Sequence, residues 1–210
     1  CYIMKKAIIF WAVLLVTPFL IFSQDLVNLD YISPFNEGLA AIKKEGQWAF
    51  INYKGEVVVD YRSDVVPTVT NDDSYPVFMD GRCIIEQKKD GISYFGYIDA
   101  TGKTAIQPQF LNAHNFKNGK ALALKLIKEN VAKNVALDKN IVYYKYYEVI
   151  IDRNGHVETF LNPSGVNITL DKDYVRIPPK ITSKRISDDL YSVMDKNKKW
   201  TLMDVNIQKK

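Results

Sequence analysis

The residues of this chain that could carry chemistry are few and widely spaced. Adjacent carboxylates occur at Asp72-Asp73 and Asp188-Asp189, and a pair of acids is what glycoside hydrolysis needs, one to protonate the leaving group and one to act as base or nucleophile. The two histidines are His114, in the polar stretch Asn112-Ala113-His114-Asn115-Phe116, and His156, directly after Gly155. Neither stands in a motif that would pair it with a nucleophile and an orienting carboxylate. Asp152-Arg153-Asn154-Gly155-His156-Val157-Glu158 has the oxygen-rich look of a calcium loop but falls short of the twelve residues such a loop requires. Cys1 and Cys83 with the two histidines lack the spacing of a zinc site, and no glycine-rich phosphate loop is present. Cys83, in Arg82-Cys83-Ile84-Ile85, reads as a small buried residue. The sequence therefore predicts no catalytic residue, no metal and no cofactor. The rival expectation is an extracytoplasmic hydrolase that uses Asp72, Asp73 or His114 in a cleft between structural units.

What would have to position any such group is a repeat. Phe35 to Val59 runs through Glu37-Gly38-Leu39-Ala40, Lys43-Lys44-Glu45-Gly46, Gln47-Trp48-Ala49-Phe50-Ile51 and Asn52-Tyr53-Lys54-Gly55. The same order returns in Asp80-Gly81-Arg82-Cys83, Lys88-Lys89-Asp90-Gly91, Phe95-Gly96-Tyr97-Ile98 and Asp99-Ala100-Thr101-Gly102. A third copy keeps Asn118-Gly119-Lys120-Ala121 and Asp152-Arg153-Asn154-Gly155 around a long insertion, with Glu148 where the tryptophan is expected. A fourth, degenerate copy has Asp189-Leu190-Tyr191, Lys196-Asn197-Lys198-Lys199, Trp200 and Asp204-Val205-Asn206-Ile207. The copies span about 35–61, 79–110, 116–160 and 186–207.

Asp or Asn first and Gly fourth suit a tight turn, and β-branched or aromatic residues between turns suit strands. The predicted fold class is all-β: tandem antiparallel β-hairpin repeats stacked into a curved or partly closed sheet array. A lone hairpin leaves one apolar face uncovered, so neighbouring copies must cover it. Trp48, Phe95 and Trp200 fall at one phase and are expected to bury against the adjacent copy. The small residues after them, Ala49, Gly96 and Thr201, suggest a close backbone approach beside the ring. Gly38, Gly81 and Gly119 open copies, and Gly55, Gly102 and Gly155 close the second turn. Lys125 to Asn140 fits either a short helix or a long hairpin excursion, and Ile141 to Ile151 reads as a central strand.

Met4-Lys5-Lys6, the apolar run Ala7 to Phe22 and Ser23 before Gln24 have the three parts of a secretory signal. Residues 1–23 are read as that signal and 24–210 as the repeat domain, without a stable membrane span after cleavage. The expected location is exported: periplasmic, outer-surface associated or secreted. A formal charge of +4, from 28 Lys and Arg against 24 Asp and Glu in 210 residues, is too small and dispersed for nucleic-acid binding by bulk charge.

The order Gly38-Leu39-Ala40, Lys43 to Gly46, Trp48, then Phe95-Gly96-Tyr97-Ile98-Asp99, Gly102 and Ile106-Gln107-Pro108-Gln109-Phe110 resembles the bacterial WG repeat family. The resemblance implies an all-β binding or scaffold module with no shared catalytic residues, whose partner would be another protein or an envelope glycan. On this reading Lys125 to Asn140 is the favoured docking insertion.

Overall fold

The computed structural model describes residues 26–69, 73–134 and 139–206. The predicted signal, Asp72 and Ile207 lie outside the described residues. The chain forms no helix there, and none is long and apolar enough to cross a membrane.

The first copy comprises β1 (Tyr31–Ile32), β2 (Ala40–Lys44), β3 (Gln47–Ile51) and β4 (Val57–Arg62), paired in that order. A two-stranded pair, β5 (Thr68–Val69) and β6 (Ser74–Tyr75), precedes the second copy. That copy is β7 (Cys83–Lys89), β8 (Ile92–Ile98) and β9 (Thr104–Ala113). The third is β10 (Lys120–Asn134), β11 (Lys139–Asp152) and β12 (Val157–Phe160), with β13 (Val166–Ile168) added to β11. Copies two and three share one seven-stranded sheet. The fourth is β14 (Lys184–Arg185), β15 (Leu190–Met194) and β16 (Trp200–Asp204). Every strand pairing is antiparallel, as the alternating pattern and short turns require.

Three turns of two types build each complete copy. Two-residue turns with positive φ at both positions open the copies at Glu37-Gly38, Asp80-Gly81 and Asn118-Gly119, and join the first two strands at Glu45-Gly46 and Asp90-Gly91. These are type I′ turns, whose twist matches that of the strands they connect. The second turn is a type I turn closed by a glycine. Gly55 N, Gly102 N and Gly155 N donate to Asn52 O, Asp99 O and Asp152 O, each at 2.9 Å. The side chain of the first residue accepts backbone N–H groups inside the turn, as Asp99 Oδ1 does from Thr101 and Lys103. The Asx residues chosen by the sequence therefore stitch the turn from within. The fourth copy departs from this scheme. Its first turn is an Asx turn on Asp195, longer than the two-residue version, and places Lys198 at φ 60°.

The insertion is settled by a fourteen-pair ladder between β10 and β11, from Lys120↔Asp152 to Asn134↔Lys139. The helical alternative for Lys125 to Asn140 is thereby corrected over the described residues. Periodic Leu124, Ile127 and Val131 are placed in a strand because tertiary pairing with the tyrosine-rich Ile141–Ile151 segment outweighs the local spacing. The expectation of a central strand there holds, with β10 on one side of β11 and β12 and β13 on the other.

Copies are joined by strands that serve two hairpins. β9 pairs with β8 through Ile106 and Phe110, then with β10 through Ala113↔Ala123. After β4, Val65 pairs with Ile85 in the same way, and β14 leads onto β15. Gly96 lies where β9 bulges over it. A Cβ there would sit 2.6 Å from Pro108 N and press on Ile106 O, so the close approach inferred beside the ring is real.

Lys198 in the left-handed region costs on the order of 1 kcal/mol relative to glycine. Lys198→Gly is expected to raise the unfolding free energy by about that amount, read as a higher urea midpoint at unchanged slope.

Candidate functional site

Alternation along each strand gives a copy two faces, and the packing assigns them consistently. Trp48 and Phe50 of copy one meet Val65, Phe78, Cys83, Ile85 and Ile98 at the second copy. Phe95 and Tyr97 of copy two meet Ala113, Ala121, Ala123, Val149 and Ile151 at the third. Leu122 and Ile150 of copy three meet Tyr191, Val193 and Val205 of the fourth. The other face of copy one, Ala40, Ile42, Ala49 and Ile51, is covered by Leu26, Leu29, Val57 and Tyr61. Trp48 is 7% exposed and Phe95 8%. The expectation that Trp200 is buried in the same manner is corrected: it is 48% exposed, because no described strand follows β16 to cover it. Thr201, in turn, is exposed and marks no close approach.

The opening turns add a polar chain along the same direction. Glu37 accepts from Asp80 N at 2.7 Å and Gly81 N at 2.8 Å, and Asp80 accepts from Gly119 N at 2.6 Å. Asn118 donates to Asp188 at 2.7 Å. The second-turn glycines receive a side chain of the preceding copy. Val59 lies 3.0 Å from a Cβ built on Gly102, and Ile106 lies 2.7 Å from one built on Gly155.

Glu148 occupies the tryptophan position of the third copy and is 5% exposed. A carboxylate placed there without partners would be costly. Its Oε1 accepts from Thr182 N at 2.8 Å and Thr182 Oγ1 at 2.7 Å, and its Oε2 from Ser183 N at 2.9 Å and the Ser183 hydroxyl. Four donors thus return the connector to the third copy just before β14. Where Trp48 and Phe95 lie in apolar clusters with Val65 and Ala113, Glu148 lies on Ser183. Sequence reading noted the missing tryptophan but not its partners, which sit 34 and 35 residues away.

Beside this clamp, copies three and four and the 161–166 loop enclose a cleft of about 590 Å³. Leu161, Val193 and Met203 give it apolar wall, and Asn162, Lys180 and Asn197 polar wall. Mixed lining of this kind and size suits a small polar ligand with apolar faces.

The residues first considered for catalysis do not assemble. Asp73 accepts a hydrogen bond from the Tyr31 hydroxyl, a bond that pushes the phenol up to about 12. His114 lines a different cleft of about 320 Å³, with Lys117, Lys120, Lys184 and Arg185. Crowding removes water from its ring and holds the imidazole below its ordinary value, against the pull of the Glu148 charge, although the residue keeps an exposed edge. Asp73 shares no wall with it in that cleft. Asp189 pairs with Lys120 at 2.8 Å, and His156 rests on Asp152 at 3.1 Å within its own turn. Cys83 is buried, and desolvation pushes its thiol up to about 12, so it stays protonated. Among the described residues, no three His, Cys, Asp or Glu side chains converge as a metal group.

A family model described as WG containing repeat matches residues 28–48 and 95–125. The first segment ends on Trp48. The second begins on Phe95 and runs through the shared strand β9 into β10. WG-repeat sequence is present in these two segments. No curated protein and no solved structure matches it. Both WG segments contain an opening glycine and the ring position just described, so the family pattern coincides with the residues that stack one copy on the next.

Three outcomes follow for the ring position. Trp48→Ala should cost about 3–5 kcal/mol of unfolding free energy, as large-to-small core changes do, and Trp200→Ala less than about 0.5 kcal/mol, as at other open surface sites. Glu148→Gln turns one acceptor into a donor that faces other donors, at an expected cost of at least about 2 kcal/mol. Denaturant titrations check all three.

Proposed function

We propose that the chain is an exported, non-catalytic WG-repeat module that binds an envelope ligand in the cleft between its third and fourth copies. The observation that carries this reading is the cleft itself. Its nearest buried carboxylate, Glu148, is taken up by four structural hydrogen bonds, while Lys180 and Asn197 remain on the wall beside apolar Val193 and Met203. Amide and ammonium groups next to an apolar floor recognise hydroxylated ring compounds, so an envelope glycan is the favoured ligand and a peptide of another protein the second. Export is supported by Lys5-Lys6, the apolar run Ala7 to Phe22 and Ser23.

The hydrolase alternative would draw on the two acids of this wall, Glu148 and Asp195. Glu148 is held by four donors, and Asp195 Oδ1 accepts from Asn197 N and Lys199 N in its own turn, whereas glycoside cleavage needs one acid to protonate the leaving group and a second at catalytic distance. The test uses soluble glycan fragments released from purified cell walls. The reading predicts saturable binding, at least tenfold weaker in Asn197→Trp, which projects a ring into the cleft from an exposed wall position, with the fragments recovered at unchanged mass. Cleaved fragments would favour the hydrolase, and undiminished binding by Asn197→Trp would remove the cleft from the account.

A further inference from the structure

The fourth copy displays a surface that each earlier copy buries. Trp48, Phe95 and Glu148 at the ring position are all buried, and so are Phe50, Tyr97 and Ile150 two residues further on. At the corresponding positions of β16, Trp200 is 48% exposed and Leu202 64% exposed. A pair of large apolar side chains on one strand face, at positions that elsewhere in the same chain contact a neighbouring copy, marks an interaction surface. Strand alternation places Asp204 on the same face as Trp200 and Leu202, its Oδ1 accepting from Asn206 N at 2.9 Å within its own turn. Lys184 completes it, with Nζ 5.2 Å from the centre of the Trp200 ring.

The order along this face is therefore cation and ring, then Leu202 at the centre, then carboxylate. That order is self-complementary. A twofold axis through Leu202 sets Leu202 on Leu202 of the second copy, and sets Lys184 and Trp200 opposite Asp204 of the second copy, twice. An isologous contact needs this property, since the same patch serves both partners. A head-to-tail contact is disfavoured because Leu26, Leu29 and Tyr61 already cover the opposite end of the array.

We propose that two copies of this chain associate face to face through β16, with Trp200 and Leu202 as the buried centre and Lys184–Asp204 ion pairs at both ends. The arrangement covers the exposed ring face of the fourth copy with apolar surface, as stacking does between copies one, two and three.

Sedimentation equilibrium on the full chain tests it. A concentration-dependent monomer–dimer equilibrium is expected. Leu202→Glu should weaken it at least tenfold with unchanged circular dichroism and, at dilutions where the chain is monomeric, unchanged melting temperature, because the side chain is exposed in the isolated chain. Lys184→Glu alone should also weaken association, and Lys184→Glu with Asp204→Lys should restore it, an exchange that only facing charges permit. A chain that stays monomeric at high concentration and low salt would overturn the proposal. So would association that Leu202→Glu leaves intact, which would place the contact elsewhere, for example in the apolar segment 7–22.

Discussion

Everything in this molecule depends on the contact between the ring position of one hairpin and the lead-in and first strands of the next. A three-stranded meander of this size has two faces and too little material to cover either. Trp48 with Phe50, and Phe95 with Tyr97, supply one side of the junction. Cys83 with Ile85, and Ala121 with Ala123, supply the other, and the small residues among them let the rings approach. The polar chain through Glu37, Asp80 and Asn118 runs parallel to the apolar one. It fixes which turn lies on which and supplies direction, whereas the apolar clusters supply most of the cohesion.

The third junction shows how the same position accepts different chemistry. A buried glutamate is tolerable only where donors surround it, and Thr182 and Ser183 bring both their amides and their hydroxyls. Because those donors belong to the end of the connector, Glu148 orders a segment that a tryptophan would merely have covered. The 161–166 loop is drawn in beside it through Asn162, which accepts from Glu148 N at 2.6 Å. The cleft between copies three and four opens beside this polar contact, with Glu148, Asn162 and Thr182 on its wall.

Much of the fold was legible in the residues. The second turns were readable because Asx at the first position and glycine at the fourth have one favourable backbone solution, and Gly102 and Gly155 adopt it. Gly96 marked a close backbone approach, and a Cβ there would meet Ile106 O and Pro108 N of β9. Other features depended on residues distant in the chain. Trp200 is exposed because no strand among the described residues lies over β16, which its own neighbourhood does not encode. The insertion hid its state because Leu124, Ile127 and Val131 satisfy helical spacing as well as a long hairpin. The clamp on Glu148 joins segments whose local sequences carry no mark of one another, and the cleft beside it was invisible for the same reason. The acids and histidines that looked chemically suggestive are placed apart: Asp73 by Tyr31, His114 among lysines, Asp189 on Lys120.

The central claim is that the copies are one cooperative unit joined through the ring position. A double-mutant cycle between Trp48→Ala and Ile85→Ala, on opposite sides of the first junction, tests it most directly. Stacking predicts a coupling of about 0.5–3 kcal/mol in unfolding free energy, the range found for residues in contact. Additive losses, agreeing within about 0.3 kcal/mol, would contradict it and mean that the hairpins hold their structure independently.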